Sequence, residues 1–531
     1  MMKMKIIKDL YKKILIALLT VAIVSCDPSD FEDINIDPNN TTNPQTSALL
    51  TRALRSISST TAPTGRTTRA GQHYVQYVGN TQYTGDDNYD AIKFSFNGIY
   101  NGPLADLNFI IDYNTDPETA DIAAKSGSNA NQIGVAKILM SYYYLYMTNR
   151  WGDIPYSEAL QSAADPQILS PKYDTQQEIY NGIFATLKEA RNEILADQND
   201  NPVTGDILFQ GDMDRWVQFA NTIRLIAALR LSDADAGLGR TEFNAAMADG
   251  VITSDIVYPF LAEASNENPW FSSFRTRDDW SLSHPIVDYM NINTESNPWS
   301  GVAGMMDVVR DPRLPKYGNP TDNSISDPNW PLYAGQPYGL LEGDAGGLAI
   351  QDVSMLSFHM RTQDLAYPIY SMAQVLFSRA EAAQLGWTSE NAMQLYYDAI
   401  ASSIEFYGVT DGPAGDGVGG YDDYITNSEV VWTTGREMEQ IATQKWVALY
   451  LVGYEGWNNW RRTGWPILQP SPNGIQSSTI PIRQAYPDTE RDLNAVNWQT
   501  ALDRQFGGTD DLNGQLWLFP NSSKWEDGNR N

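Results

Sequence analysis

Apolar positions repeat at intervals of three and four over long stretches towards both ends of this chain, and the repeat fades in the middle. Ile133, Ala136, Met140, Tyr143 and Met147 step in this way, as do Ile179, Ile183, Leu187, Ala190 and Ile194. That spacing puts the apolar side chains on one face of a helix with 3.6 residues per turn, so each stretch predicts an amphipathic helix. Trp216, Phe219, Ile223 and Ile226 repeat the pattern. Met372, Leu376, Ala380 and Ala383 are followed, after Gly386, by Met393, Tyr396, Ile400, Ile404 and Tyr407. Gly386 suits the position just past a helix end and Thr388 or Ser389 the N-cap of the next, which predicts a tight helical hairpin. Trp446 and Trp457 fall at helical spacing with Ala442, Leu449 and Gly453, and are expected in the core.

Small residues inside paired helices of this length resemble tetratricopeptide units. The repeats are degenerate and periodicity alone does not define them; what it predicts is a mainly α fold, a helical scaffold over residues 48–250 with further hairpins and a tail over 366–531. Between them, 251–365 is a long loop-rich insertion with a few short strands, where Pro, Gly, Asn and aromatic residues displace the helical repeat. Irregular stretches of this length in a compact protein are usually functional or disordered, and the density of Trp argues for a binding surface.

The first 25 residues have a different character. Lys3, Lys5, Lys8, Lys12 and Lys13 precede the apolar run Ile14–Val24, which is too short to cross a bilayer as a stable helix, and Ser25 precedes Cys26. This is the pattern of a secretory signal peptide. The order Ile23-Val24-Ser25-Cys26 resembles a bacterial lipobox, which makes Cys26, the only cysteine, the expected site of lipidation. Residues 26–47 are acidic, rich in Asn and Pro and nearly without apolar side chains, so they read as an extended leader between lipid and fold. An acidic stretch after the acylated cysteine resembles the signal that displays Bacteroidota lipoproteins on the outer face of the outer membrane.

Charge and composition narrow the chemistry. The net charge is −29, and loss of residues 1–25 removes five lysines and one aspartate, leaving a still more acidic chain. Nucleic-acid binding depends on a basic footprint, so no nucleic-acid partner is expected. Disulfide, paired-cysteine redox and cysteine–zinc chemistry are excluded once Cys26 carries lipid. His73, His284 and His359 are the only histidines, and no H-E-x-x-H or G-x-S-x-G occurs, which argues against a His-dependent triad or a His-rich metal site. A pair of carboxylates suffices for glycoside hydrolysis and leaves no sequence signature, so a hydrolase stays open on residue grounds. No cofactor is expected. Calcium suits the oxygen-rich loops 84–90 and 411–423, but neither has EF-hand spacing, and solvated turns are the simpler reading.

Four separated stretches share one resemblance: Tyr142 to Tyr156 (YYYLYMTNRWGDIPY), Ser371 to Leu385, Gln444 to Pro466 (QKWVALYLVGYEGWNNWRRTGWP), and Arg483 to Glu490 with Asn494 beyond. With Asp37-Pro38-Asn39-Asn40, they look like the SusD/RagB family of outer-membrane lipoproteins, closest to its SusD-like branch. The resemblance implies a helical tetratricopeptide scaffold, a ligand face built from loops and no catalytic step. It also implies a SusC-like TonB-dependent barrel as partner, to which oligosaccharides or peptides are delivered. Arg461, Arg462, Arg483, Tyr486 and Glu490 lie in these stretches and are expected to be structural.

The residues themselves point to where ligand would lie. Apolar C–H faces of sugar rings rest against indole or phenol rings while amide, carboxylate and guanidinium groups satisfy the hydroxyls. Trp270, Trp280, Trp299, Trp330, Tyr333 and Tyr338 sit among Asn266, Asn268, Arg275, Arg277 and Asp279, with Tyr83 and Tyr89 joining from the early acidic loop. The leading expectation is a cell-surface nutrient-binding lipoprotein. The rivals are a surface-anchored glycan hydrolase and a tetratricopeptide adaptor that binds only protein.

Overall fold

The computed structural model describes residues 44–531 apart from 63–65, 92, 162–165, 198–200, 292–309, 328–329, 410–419, 451, 522–523 and 525–531. Cys26, most of the leader and Trp299 lie outside the described residues. Residues Thr46–Asn531 form one unit. Its longer helices are α1 (Thr46–Arg55), α2 (Arg66–Tyr74), α3 (Ala105–Thr115), α4 (Asn129–Trp151), α5 (Gln176–Asp197), α6 (Met213–Arg230), α7 (Ala236–Asp249), α8 (Met372–Gln384), α9 (Ala392–Phe406), α10 (Glu437–Ala448), α11 (Gly453–Thr463) and α12 (Ala495–Phe506). Consecutive helices pack side by side: α3 on α4, α4 on α5, α5 on α6, α6 on α7, and α8 on α9. This is the helix-pair arrangement that the periodicity predicts.

Burial follows the apolar stripes. On α5, Ile179, Ile183, Leu187, Ala190 and Ile194 are all buried, and on α6 so are Trp216, Phe219, Ile223 and Ile226. Side-chain caps satisfy first-turn N–H groups that have no partner inside the helix. Ser128, Asp212, Asp235 and Ser371 accept from the backbone of Asn131, Arg215, Leu238 and Gln374. In the α8–α9 hairpin Gly386 takes the left-handed conformation expected of it (φ +70°). The N-cap of α9, however, is Asn391, which accepts from Gln394, not Thr388 or Ser389. Met393 is correspondingly exposed.

Short two-stranded ladders pin the loops to this scaffold: β1 (Val78–Asn80) with β5 (Trp280–Leu282), β2 (Ile154–Pro155) with β3 (Tyr173–Asp174), and β4 (Ile256–Tyr258) with β6 (Tyr367–Tyr370), each antiparallel. Short helices, among them Pro269–Ser273, His284–Met290 and Leu314–Tyr317, punctuate the otherwise irregular chain of 251–365. Helix α2, which leads into β1, meets α11 backbone to backbone. A Cβ on Gly71 would come 2.7 Å from Tyr454 N, and one on Gly453 2.4 Å from Gln72 N, so this crossing requires glycine on both sides.

Three of the separated sequence stretches lock one another. The Trp151 indole donates to Ala485 O (2.9 Å), Tyr486 Oη donates to Asp153 O (2.6 Å), and Arg461 donates to Asn149 O (2.8 Å) and Ile482 O (2.9 Å) while lying on the Trp457 ring. Arg461, Arg462, Arg483, Trp446, Trp457 and Tyr486 are all buried. Tyr173 Oη donates to Glu490 (2.6 Å). Trp151, Arg461 and Tyr486 hold the ends of α4 and α11 against the C-terminal tail, and Arg462 ties α11 to Glu381 on α8, so these residues are structural.

Candidate functional site

The β1–β5 ladder carries the early loop to the insertion. Asn80 pairs with Trp280, and the ladder is prolonged where Thr81 N donates to Asp279 O (2.8 Å). The Asn80 carboxamide oxygen then accepts from Gln82 N (2.9 Å) and Tyr83 N (2.7 Å), an Asx turn that swings the chain out of the strand. The result is a Tyr83 ring 56 % exposed, with the Arg277 guanidinium 4.8 Å above its centroid. Arg277 is itself held by Asp279 (2.6 Å).

Alongside lies a second ring–cation group. Arg361 approaches Phe274 at 4.3 Å and Phe358 at 4.6 Å, and comes within 3.7 Å of Asp278. Burial pushes Arg361 below its ordinary value, with Asp278 opposing. Phe358 is 74 % exposed. Residues 81–83, 274–279 and 358–361 thus converge on one surface, where aromatic rings stand beside guanidinium and carboxylate groups already fixed by one another. Such a surface offers flat apolar area with polar groups at its edge, and cation–ring contacts of this kind hold the rings in place.

Beneath it the expected ligand residues have another role. Trp270, Trp280, Tyr333 and Tyr89 are buried, which corrects the expectation that they stand on an open loop face. Trp280 packs 5.8 Å from Trp270 and 5.7 Å from His73, with Arg69 4.5 Å from its ring. The physical reason is area: large rings in loops with few helices or strands supply the apolar surface that the loops must bury against the scaffold. Tyr89 Oη accepts from Ser471 N (3.1 Å), and Tyr338, partly buried, donates to His73 O (2.6 Å). Trp330 is partly buried and donates to Asp352 O (3.3 Å). Of the eight aromatic residues singled out, Tyr83 alone is largely exposed among those described. Phe358 and Arg361 have no place in that set because they lie outside the Trp-rich clusters that mark the insertion, while Phe274, which lies between Trp270 and Trp280, is absent because the set holds only Trp and Tyr rings.

The acidic turn 84–90 is built inward. Asp87 accepts from His73 Nδ1 (2.6 Å) and from Asn80 N (3.1 Å); burial pushes its carboxyl up against both bonds. Asn88 donates to Leu340 O (2.8 Å). Among the described residues no group of three or more His, Cys, Asp or Glu side chains is placed to hold a metal ion, and no helix is long and apolar enough to cross a membrane. Of the second glycine-rich acidic stretch, 411–423, residues 411–419 lie outside the described residues, and 421–423 belong to the short helix Tyr421–Tyr424.

A helical-repeat body that presents aromatic rings and fixed polar groups from its loops has the build of a ligand-binding protein. The chain belongs to the SusD-like family: the family model described as starch-binding and associating with the outer membrane matches residues 38–487. Members are outer-membrane-associated binding proteins, not enzymes. Among solved structures, a chitin-binding protein is 25 % identical and superposes with a TM-score of 0.72 over 90 % of this chain and 100 % of its own. A Bacteroides vulgatus outer membrane protein linked to nutrient binding is 22 % identical, with a TM-score of 0.73 over 90 % of this chain and 100 % of its own. A SusD homologue from Bacteroides fragilis is 23 % identical, with a TM-score of 0.71 over 90 % and 99 %. No curated protein matches.

Proposed function

We propose that this chain is a cell-surface lipoprotein, anchored through acylated Cys26, that captures nutrient oligosaccharides and delivers them to a SusC-like TonB-dependent barrel in the outer membrane. The observation that carries the reading is the surface formed by Tyr83, Phe274 and Phe358 with Arg277, Arg361, Asp278 and Asp279. A sugar ring laid on Tyr83 or Phe358 covers apolar area at about 25 cal/mol per Å². The neighbouring guanidinium and carboxylate groups supply donors and acceptors for its hydroxyls. Starch in the description of the family and chitin for one structural neighbour support oligosaccharide over peptide as the ligand class. Peptide remains the alternative that a screen must include.

The test is a glycan and peptide array probed with the detergent-purified full chain, with product release followed in parallel. Saccharide binding without turnover supports the proposal; turnover would point to a surface-anchored hydrolase, and capture of protein alone to an adaptor.

The anchor gives its own prediction. Cys26→Ala is expected to move the protein out of the membrane fraction, because one or more acyl chains on Cys26 would be its hold on the bilayer. Fractionation with acyl labelling checks this; retention in the membrane together with an unlabelled wild type would remove the lipoprotein reading.

A further inference from the structure

The C-terminal part of the chain builds a second concave site that shares no residue with the loop face. A cavity of about 400 Å³ opens between the first turn of α5, the end of α12 and the tail segment Gln515–Pro520. That size lies at the lower end of the roughly 300–1,000 Å³ typical of small-molecule sites.

Its floor is fixed. The Asp153 carboxylate accepts from Arg504 Nε (2.8 Å) and Gln176 N (2.8 Å), and burial pushes its pKa up to about 6 against the Arg504 contact. Gln505 bridges Asp153 N (2.9 Å) and Tyr486 Oη (2.9 Å), while the Gln176 side chain donates to Thr148 O (2.7 Å) and accepts from Leu518 N (3.0 Å). The Asp153, Gln176 and Gln505 side chains are thus each engaged with the protein on both of their polar atoms, which fixes the floor.

Around the opening the bonding capacity is spare. Gln177 makes no side-chain hydrogen bond among the described residues, Gln515 uses only its Nε2, on Phe519 O (3.2 Å), and Arg504 Nη1 is likewise unengaged. The partly exposed Trp517 ring forms one wall, held by an edge contact with Tyr180 at 6.2 Å. A carboxamide both donates and accepts, as does each hydroxyl of a sugar, and an indole wall suits the apolar face of the ring. Asp153 neutralises Arg504, so the site favours a neutral ligand over an anion.

We propose that this cleft is a second saccharide-binding site, taking a neutral sugar ring against Trp517 with Gln177, Gln515 and Arg504 Nη1 on its hydroxyls. The inference rests on the oligosaccharide reading of the loop face. Two sites on one chain would hold a long glycan more tightly than either site alone, through effective concentration.

The experiment is calorimetry and saturation-transfer NMR on the full chain in detergent, with maltotriose and N,N′-diacetylchitobiose as probes. The wild type is compared with a face variant (Tyr83→Ala, Phe358→Ala) and with that variant carrying Gln177→Ala and Gln515→Ala in addition. Both glutamines are exposed, so the fold should tolerate their loss; Trp517→Phe serves as a separate check on the wall. The face variant is expected to retain weaker saccharide binding, which the two glutamine substitutions reduce about tenfold or more. Loss of all saccharide binding in the face variant, or residual binding indifferent to the glutamines and to Trp517→Phe, would overturn the cleft and leave the loop face standing. A wild type that takes up neither of these saccharides nor any glycan of the array would instead overturn the oligosaccharide reading, and the cleft with it.

Discussion

Trp280→Ala is expected to cost about 3–5 kcal/mol of stability, the range for truncating a large buried aromatic side chain. Trp280 lies on β5 opposite Asn80, and its ring is enclosed by Trp270, His73 and Arg69. Removing it opens a cavity under the strand that holds Tyr83 in register, so the loop face loses its support as the core loses contacts. Chemical denaturation of wild type and variant measures the difference. A variant with the wild-type midpoint but no ligand affinity would mean that Trp280 contacts ligand directly, and the layer assigned here as core would be the site.

Glu381→Ala is expected to be of similar size, about 3–5 kcal/mol, because breaking a buried ion pair leaves its partner charges uncompensated. Glu381 on α8 is fully buried and bonds the Arg462 guanidinium through both oxygens, one at 2.7 Å, with Lys445 Nζ 3.7 Å away. One carboxylate therefore sits against cations on both α10 and α11. Burial pushes Lys445 down to about 8, with Glu381 acting in the opposite direction. On Glu381 burial acts to raise the pKa, but Arg462 and Lys445 prevail and hold it below its ordinary value of 4.5. A carboxylate depressed in the folded state adds stability that is present above its unfolded pKa and lost as pH falls through the folded one. Acidification below about 4.5 should therefore destabilise the wild type more steeply than a Glu381→Gln variant. Parallel acid-unfolding curves for the two would show that the ion pair contributes nothing across that range.

The helical part of this architecture is legible in the sequence, because a face that must be buried imposes its period on residue type. The run from Ile179 to Ile194 is read correctly for that reason, and Trp446 and Trp457 are placed in the core by the same rule. The hairpin turn is half legible. Gly386 marks the helix end because its backbone is left-handed, but the start of α9 is set by Asn391, one of several polar residues with equal capping ability. The loop face is the least legible part. In an irregular segment no period separates inward from outward positions, so Trp270 and Trp280 in the core and Phe358 at the surface look alike in sequence. The contact that brings Tyr83 to Arg277 depends on pairing β1 with β5 across some two hundred positions, which local patterns do not encode.

Capture of ligand at the loop face is tested by calorimetry of the double variant Tyr83→Ala, Phe358→Ala against the glycan that the array identifies, with circular dichroism as the control for folding. Both side chains are largely exposed, so the folded state should be unaffected, while the loss of two aromatic anchors should weaken binding by about 2 kcal/mol or more. Wild-type affinity in the folded double variant would contradict the assignment of this surface as the place where ligand is captured.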